Sequence, residues 1–112
     1  MTFKKLNING AFEIALEPRK DERGFFMRVY DDKAFETQGL KINWVEESIS
    51  FSLKKGTVRG IHFQYPPYAE AKLVSVFRGE VFFVLVDLRK NSPDFGKWEG
   101  IILSEENKKM IF

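Results

Sequence analysis

Apolar and polar residues alternate with period two over Phe12-Glu13-Ile14-Ala15-Leu16, which puts Phe12, Ile14 and Leu16 on one face of a strand. Pro18 and the charged stretch Arg19 to Arg23 end that strand in a turn. Met1 to Gly10 alternates as well, and Gly24 to Tyr30 predicts a second strand. Asp31 offers an N-cap ahead of Asp32 to Gln38 and Gly39 a stop, so one short helix is expected there. From Trp44 to Ser52, residues Trp44, Glu46, Ser48, Ser50 and Ser52 share a face, while Val45, Glu47, Ile49, Phe51 and Leu53 share the other. The pattern predicts a strand whose polar face could line a cavity. Thr57 to Gln64 predicts another, opened by Lys54-Lys55-Gly56 and closed by Tyr65-Pro66-Pro67. Leu73 to Phe77 and Glu80 to Leu88 flank Arg78-Gly79 as in a tight hairpin, and the unbroken apolar run Val81 to Val86 predicts burial on both faces. Beyond the turn cluster Asn91-Ser92-Pro93, Trp98 to Leu103 predicts a strand and Ser104-Glu105-Glu106-Asn107 a capped turn or one helical turn. Met110-Ile111-Phe112 reads as the start of a further strand.

Short strands separated by turn signals, with one short helix, indicate an all-β sandwich or barrel, for which a double-sheet jelly roll is the leading candidate. Composition reinforces this: 12 Phe, 2 Trp and 3 Tyr in 112 residues favour strands, and the length supports one domain over residues 1–112. Phe25, Phe26, Phe95 and Trp98 are expected in the core. Lys and Arg number 18 against 16 Asp and Glu and are scattered, so neither a nucleic-acid groove nor an anionic-membrane surface is indicated. With 0 Cys, no disulfide or thiolate metal site is available, and a reducing compartment is acceptable. The N-terminus lacks the apolar centre of a signal peptide and no run approaches membrane-spanning length, so a cytoplasmic protein is expected.

The densest polar cluster is Arg59-Gly60-Ile61-His62-Phe63-Gln64, followed by Lys72 across a proline turn. In a strand, Gly60, His62 and Gln64 point one way and Arg59, Ile61 and Phe63 the other. His62 is the only histidine, so a multi-histidine metal site cannot be built from one chain. A single imidazole suits proton transfer, because the group titrates near neutral pH, although a lone strand histidine is more often structural or merely exposed. Likewise, Lys72 and Arg23 taken alone are ordinary solvated cations, and Arg59 could pair with Glu46 or Glu47 across strands.

Asp21-Glu22-Arg23-Gly24-Phe25-Phe26 is similar to the early motif of the cupin-type nucleotide-sugar epimerases, the dTDP-4-dehydrorhamnose 3,5-epimerase family. Gly56-Thr57-Val58-Arg59-Gly60-Ile61-His62-Phe63-Gln64 resembles the motif around that family's catalytic base. Pro66-Pro67 with Ala71-Lys72-Leu73-Val74, Arg78-Gly79-Glu80-Val81, Val86-Asp87-Leu88-Arg89, Ser92 to Trp98 and Leu103 to Asn107 follow in the family's order. A series of ordered motifs is far more specific than any one of them. The resemblance implies a cupin-like jelly roll acting on a 4-keto nucleotide sugar without metal or redox cofactor, inverting carbons beside the ketone. Such chemistry needs a base for the proton α to the carbonyl, a cation or donor for the enolate oxygen, and an acid on the opposite face. By resemblance His62 is the base and Lys72 stabilises the enolate, Arg59 assists near the sugar, Arg23 holds the diphosphate, Phe25 meets the nucleotide, and Glu46 and Ser48 lie in the substrate pocket. A homodimer formed by exchange of N-terminal strands is implied as well.

The chain also departs from the family pattern. Arg28 stands where the family carries Glu, Glu46 and Ser48 where it carries Gln and Asn, and Phe83 where it carries an Asp positioned to orient Lys72. Arg28 and Glu46 are expected to compensate one another. The family continues past Phe112 into a second His-containing strand, a Tyr acid and an Asp that orients the base, so impaired activity is expected. A non-catalytic homologue that binds sugar nucleotides or assists assembly, or a truncated inactive product, is the alternative reading.

Overall fold

A computed structural model describes residues 1–40 and 43–112. The elements are β1 (Thr2–Lys5), β2 (Phe12–Ala15), β3 (Arg19–Asp21), β4 (Gly24–Phe26), α1 (Asp32–Thr37), β5 (Val74–Ser75), β6 (Glu80–Val86), β7 (Trp98–Ser104) and β8 (Lys109–Ile111). Strands predominate and the one helix among the described residues is short. The fold class is therefore the expected all-β one.

One sheet has the order β1-β2-β8-β5, with β1–β2, β2–β8 and β5–β8 all antiparallel. Its centre follows from the alternation: Phe12 and Ile14 are buried while Glu13 and Ala15 are half-buried on the other face. Met110 and Ile111 of β8 are buried beside them, so the final apolar tripeptide supplies an interior strand and its flank. Against this sheet lies α1. Asp31 caps it by accepting from the Ala34 amide at 3.1 Å, and Gly39, at φ +75°, turns the chain away, as the sequence indicates. Phe35, fully buried, is the helix's contribution to a core with Phe12, Ile14, Leu16, Leu40 and Met110.

Several expectations are corrected. The charged stretch after Pro18 is itself a strand, β3, paired with β4 in an isolated ribbon whose residues are all exposed. Without a buried face there is no alternation to read. The strand expected from Gly24 to Tyr30 ends at Phe26. Arg78-Gly79 does not close a hairpin, because β5 pairs with β8 and β6 with β7. Gly79, at φ +81°, instead turns the chain between sheets, exchanging hydrogen bonds with Glu105: Gly79 N donates to Glu105 Oε1 at 3.1 Å and Glu105 N to Gly79 O at 3.0 Å. The run Val81 to Val86 is exposed or half-buried rather than buried on both faces. It pairs along one edge with β7 and, among the described residues, has no sheet stacked upon it.

The largest correction concerns residues 43–73, which hold no helix or strand, and from Val45 to Lys72 every residue is exposed. The alternation of residues 44–52 and 57–64 is real, but a strand exists only as one member of a hydrogen-bonded ladder, and none of the described residues offers these segments one. This open stretch also explains a radius of gyration of 15.1 Å, against roughly 13 Å for a compact chain of this length.

Candidate functional site

The sequence-derived site residues fall on two segments. Arg23 and Phe25 belong to the β3–β4 ribbon; Glu46, Ser48, Arg59, His62 and Lys72 belong to the open stretch. Arg23 folds back on its own turn, its backbone N donating to Asp21 Oδ1 at 2.9 Å and its guanidinium to Asp21 Oδ2 at 2.6 Å. That guanidinium bond, with the amide bond, holds the Asp21 carboxyl below its ordinary pKa. The Arg23 side chain remains 84% exposed, so four of its five N–H donors remain for an anion. Phe25 is exposed, with the Lys108 ammonium 4.8 Å from its ring centre. It lines an open cavity of about 160 Å³ together with Leu16, Met27, Val29 and Lys108. Phe25, Phe26, Phe95 and Trp98, all expected in the core, are exposed at 53%, 71%, 57% and 66%. Apolarity expresses a tendency to be covered, and among the described residues nothing covers the last three of these rings.

In the open stretch Phe63 meets Tyr65 edge-on at 5.1 Å, and the other local contacts are polar. Ser48 Oγ donates to Glu46 Oε1 at 3.2 Å, which puts these two pocket candidates side by side. Arg59 Nε donates to Ser52 Oγ at 3.2 Å and Nη2 to the Phe51 carbonyl at 3.1 Å, joining the two motif segments, where a pairing with Glu46 or Glu47 was conceivable. Arg28, expected to compensate Glu46, pairs with Asp31 at 2.6 Å instead. The Lys72 ammonium forms an ion pair with Glu70, a carboxylate two residues away. Gly60 adopts φ +99°, and a Cβ there would stand 3.4 Å from His62 Cδ2, so the imidazole lies against the glycine backbone. No hydrogen bond among the described residues links His62, Lys72 and Arg23 with one another. Among those residues no group of His, Cys, Asp or Glu stands where it could hold a metal ion.

One polar cluster was not singled out as chemistry by sequence reasoning. Asp87, buried at the end of β6, accepts from Arg89 and Ser92, and Asp94, also buried, accepts from Lys97 and the Asn9 amide. The Arg89 guanidinium holds the Asp87 carboxyl far below the usual carboxylate range, against the opposing push of burial. The Lys97 ammonium, then the Asn9 amide, lowers Asp94. The signal was present in Asp87-Leu88-Arg89 and Ser92-Pro93-Asp94, where acidic, hydroxyl and basic residues crowd a turn.

An all-β, cupin-like scaffold carrying this ordered set of motif residues defines a class, and comparison with known proteins makes it specific. The family model for dTDP-4-dehydrorhamnose 3,5-epimerase matches residues 5–112, and the chain belongs to that family. It is 52% identical over 93 residues to dTDP-4-dehydrorhamnose 3,5-epimerase of Shigella flexneri, a match covering 82% of this chain and 51% of the relative. The crystal structure of the Bacillus anthracis enzyme with TDP and PPi bound is similar at TM-score 0.95 and 39% identity, over 98% of this chain and 63% of that one. The Legionella pneumophila enzyme in complex with dTDP-4-keto-L-rhamnose is similar at TM-score 0.89 and 41% identity, over 98% of this chain and 58% of that one. The chain thus spans between about half and two thirds of the length of these relatives.

Proposed function

We propose that this chain takes part in the epimerisation of a dTDP-linked 4-keto sugar, inverting carbons beside the ketone by proton abstraction. The observation that carries the reading is the match over residues 5–112 to a family named for this reaction. In this reading His62 is the base, Lys72 places its ammonium at the enolate oxygen, and Arg59 assists at the sugar. Arg23 and Phe25 receive the diphosphate and nucleotide, and Glu46 with Ser48 borders the substrate. Residues 1–112 act as one cupin-like domain. The test is incubation of the purified chain with a dTDP-4-keto-6-deoxy sugar in heavy water: deuterium should enter next to the carbonyl, and a complete absence of incorporation would reject the reading.

Binding is separable from chemistry. Because the Arg23 guanidinium has donors to spare, calorimetry should register a dTDP-sugar that binds more weakly as salt rises. Arg23→Ala should weaken it about tenfold or more, as for the loss of a hydrogen bond to a charged group. Equal affinity in the variant would remove Arg23 from the diphosphate site.

The same reading includes a homodimer and a cytoplasmic setting. The absence of Cys is compatible with a reducing compartment. β1 stands at the margin of its sheet, so its outer edge is available to a second copy's strand. Sedimentation should give a dimer at micromolar concentration that is lost on deletion of residues 1–10. A monomer with or without those residues would remove the dimer.

A further inference from the structure

Motifs around Asp87 and Asp94 take no part in the proposed chemistry, yet they hold the most completely bonded carboxylates among the described residues. The Asp87 side chain is 0% exposed and accepts from the Arg89 amide and Nε, both at 2.9 Å, and from Arg89 Nη2 and Ser92 Oγ, both at 2.6 Å. Held in this way, Arg89 reaches across the fold and donates from Nη2 to the Asn9 carbonyl at 2.8 Å. Asp94 accepts from the Asn9 amide at 2.9 Å, while Lys97 Nζ, also at 2.9 Å, neutralises it. Glu99 accepts from the Asn7 amide at 2.8 Å and from its side-chain Nδ2 at 3.2 Å. The loop is organised by its own backbone, with Asp87 N donating to Lys97 O at 2.9 Å and Gly96 N to Asp87 O at 2.8 Å. Asn7 and Asn9 lie in the turn between β1 and β2, more than 75 residues away in the chain. Gly10, at φ +86°, gives that turn a backbone conformation that L side chains rarely adopt.

We infer that residues 87–99 form a clamp for the β1–β2 turn, in which Asp94, Glu99 and the Asp87-anchored Arg89 seize the backbone of Asn7 and Asn9. The β6–β7 hairpin is tied to the four-stranded sheet at its near end by the chain itself, through Val76–Gly79 and Glu105–Lys108. The clamp ties its far end, at Val86 and Trp98, to the opposite end of the same sheet. A two-stranded ribbon held at one end would swing; held at both, it is a fixed wall. An exposed turn needs no carboxylate to satisfy its amides, since water would do, so the built bonds serve to set this orientation.

Amide hydrogen exchange of the full chain reads the clamp residue by residue, independently of any epimerase activity. Asp94→Ala should accelerate exchange at the Asn9 amide about tenfold to a hundredfold and leave the β6–β7 amides protected. Glu99→Ala should do the same at Asn7 and spare Asn9. Unchanged exchange at both amides in the two variants overturns the clamp. If Asp94→Ala unfolds the whole chain, the Glu99→Ala result at Asn7 decides alone.

Discussion

Deuterium incorporation beside the ketone of a dTDP-4-keto sugar should fall about a hundredfold to ten-thousandfold when His62 is replaced by Asn, the range that positioned general bases contribute. The step it reads is simple. In the proposed reaction the His62 imidazole would take the proton from the carbon next to the carbonyl, the C–H electron pair would move into the enolate, and negative charge would gather on the oxygen, where the Lys72 ammonium is assigned. Deuterium returned from solvent through the same imidazole restores the ketone with its configuration unchanged, so exchange needs only one face of the sugar. Inversion also needs a donor on the opposite face, which none of Tyr30, Tyr65 or Tyr68 is assigned to supply. Exchange and epimerisation are therefore separate readouts of the same reaction. Asn is the appropriate replacement because it keeps a polar side chain of similar size while removing the ring nitrogen that would take and return the proton. Exchange equal in wild type and His62→Asn would take the base role from His62 while leaving the Arg23 binding experiment to stand or fall separately.

How much of this was legible without coordinates depends on what each residue needs from the rest of the chain. The α1 boundaries, the β2 alternation and the Ser104–Asn107 turn were read correctly because their determinants are local. Asp31 caps its own helix, and Asn107 Oδ1 accepts from the amides of Ser104 and Lys109 at 3.1 and 3.0 Å. Strands at 44–52 and 57–64 were misread because a strand's last requirement is a neighbour, and periodicity carries no information about whether one is present. The same reasoning covers Phe26, Phe95 and Trp98, whose apolarity demands a covering surface without supplying it. The motif series carried family membership from the sequence alone, whereas the clamp could not be anticipated. Asp87 reaches Asn9 through Arg89, and their sequence separation hides the contact.

Phe35 is the position at which a single truncation should cost the fold most. Its ring is 0% exposed and joins three parts of the chain: it packs edge-on against Phe3 of β1 at 5.1 Å, tilts against Tyr30 at 4.9 Å, and meets Phe112 beyond β8 at 6.5 Å. The helix that carries it has 6 residues, well below the length at which a helix stands unaided in water. The cap at Asp31 contributes on the order of 1 kcal/mol, which does not offset nucleation, so α1 persists because Phe35 is buried. Phe35→Ala should then cost about 3 to 5 kcal/mol, the loss of a large apolar transfer plus the cavity left between β1, Tyr30 and β8. Domains hold only roughly 5 to 15 kcal/mol in all, so the guanidinium midpoint should fall steeply and helical circular dichroism should be lost in the same transition. Phe51→Ala is the matched control: that ring is 70% exposed in the open stretch, and its removal should change stability by no more than about 0.5 kcal/mol. A Phe35→Ala midpoint indistinguishable from that of Phe51→Ala would mean that α1 is held by its cap and backbone, and that the aromatic cluster is not what joins helix to sheet.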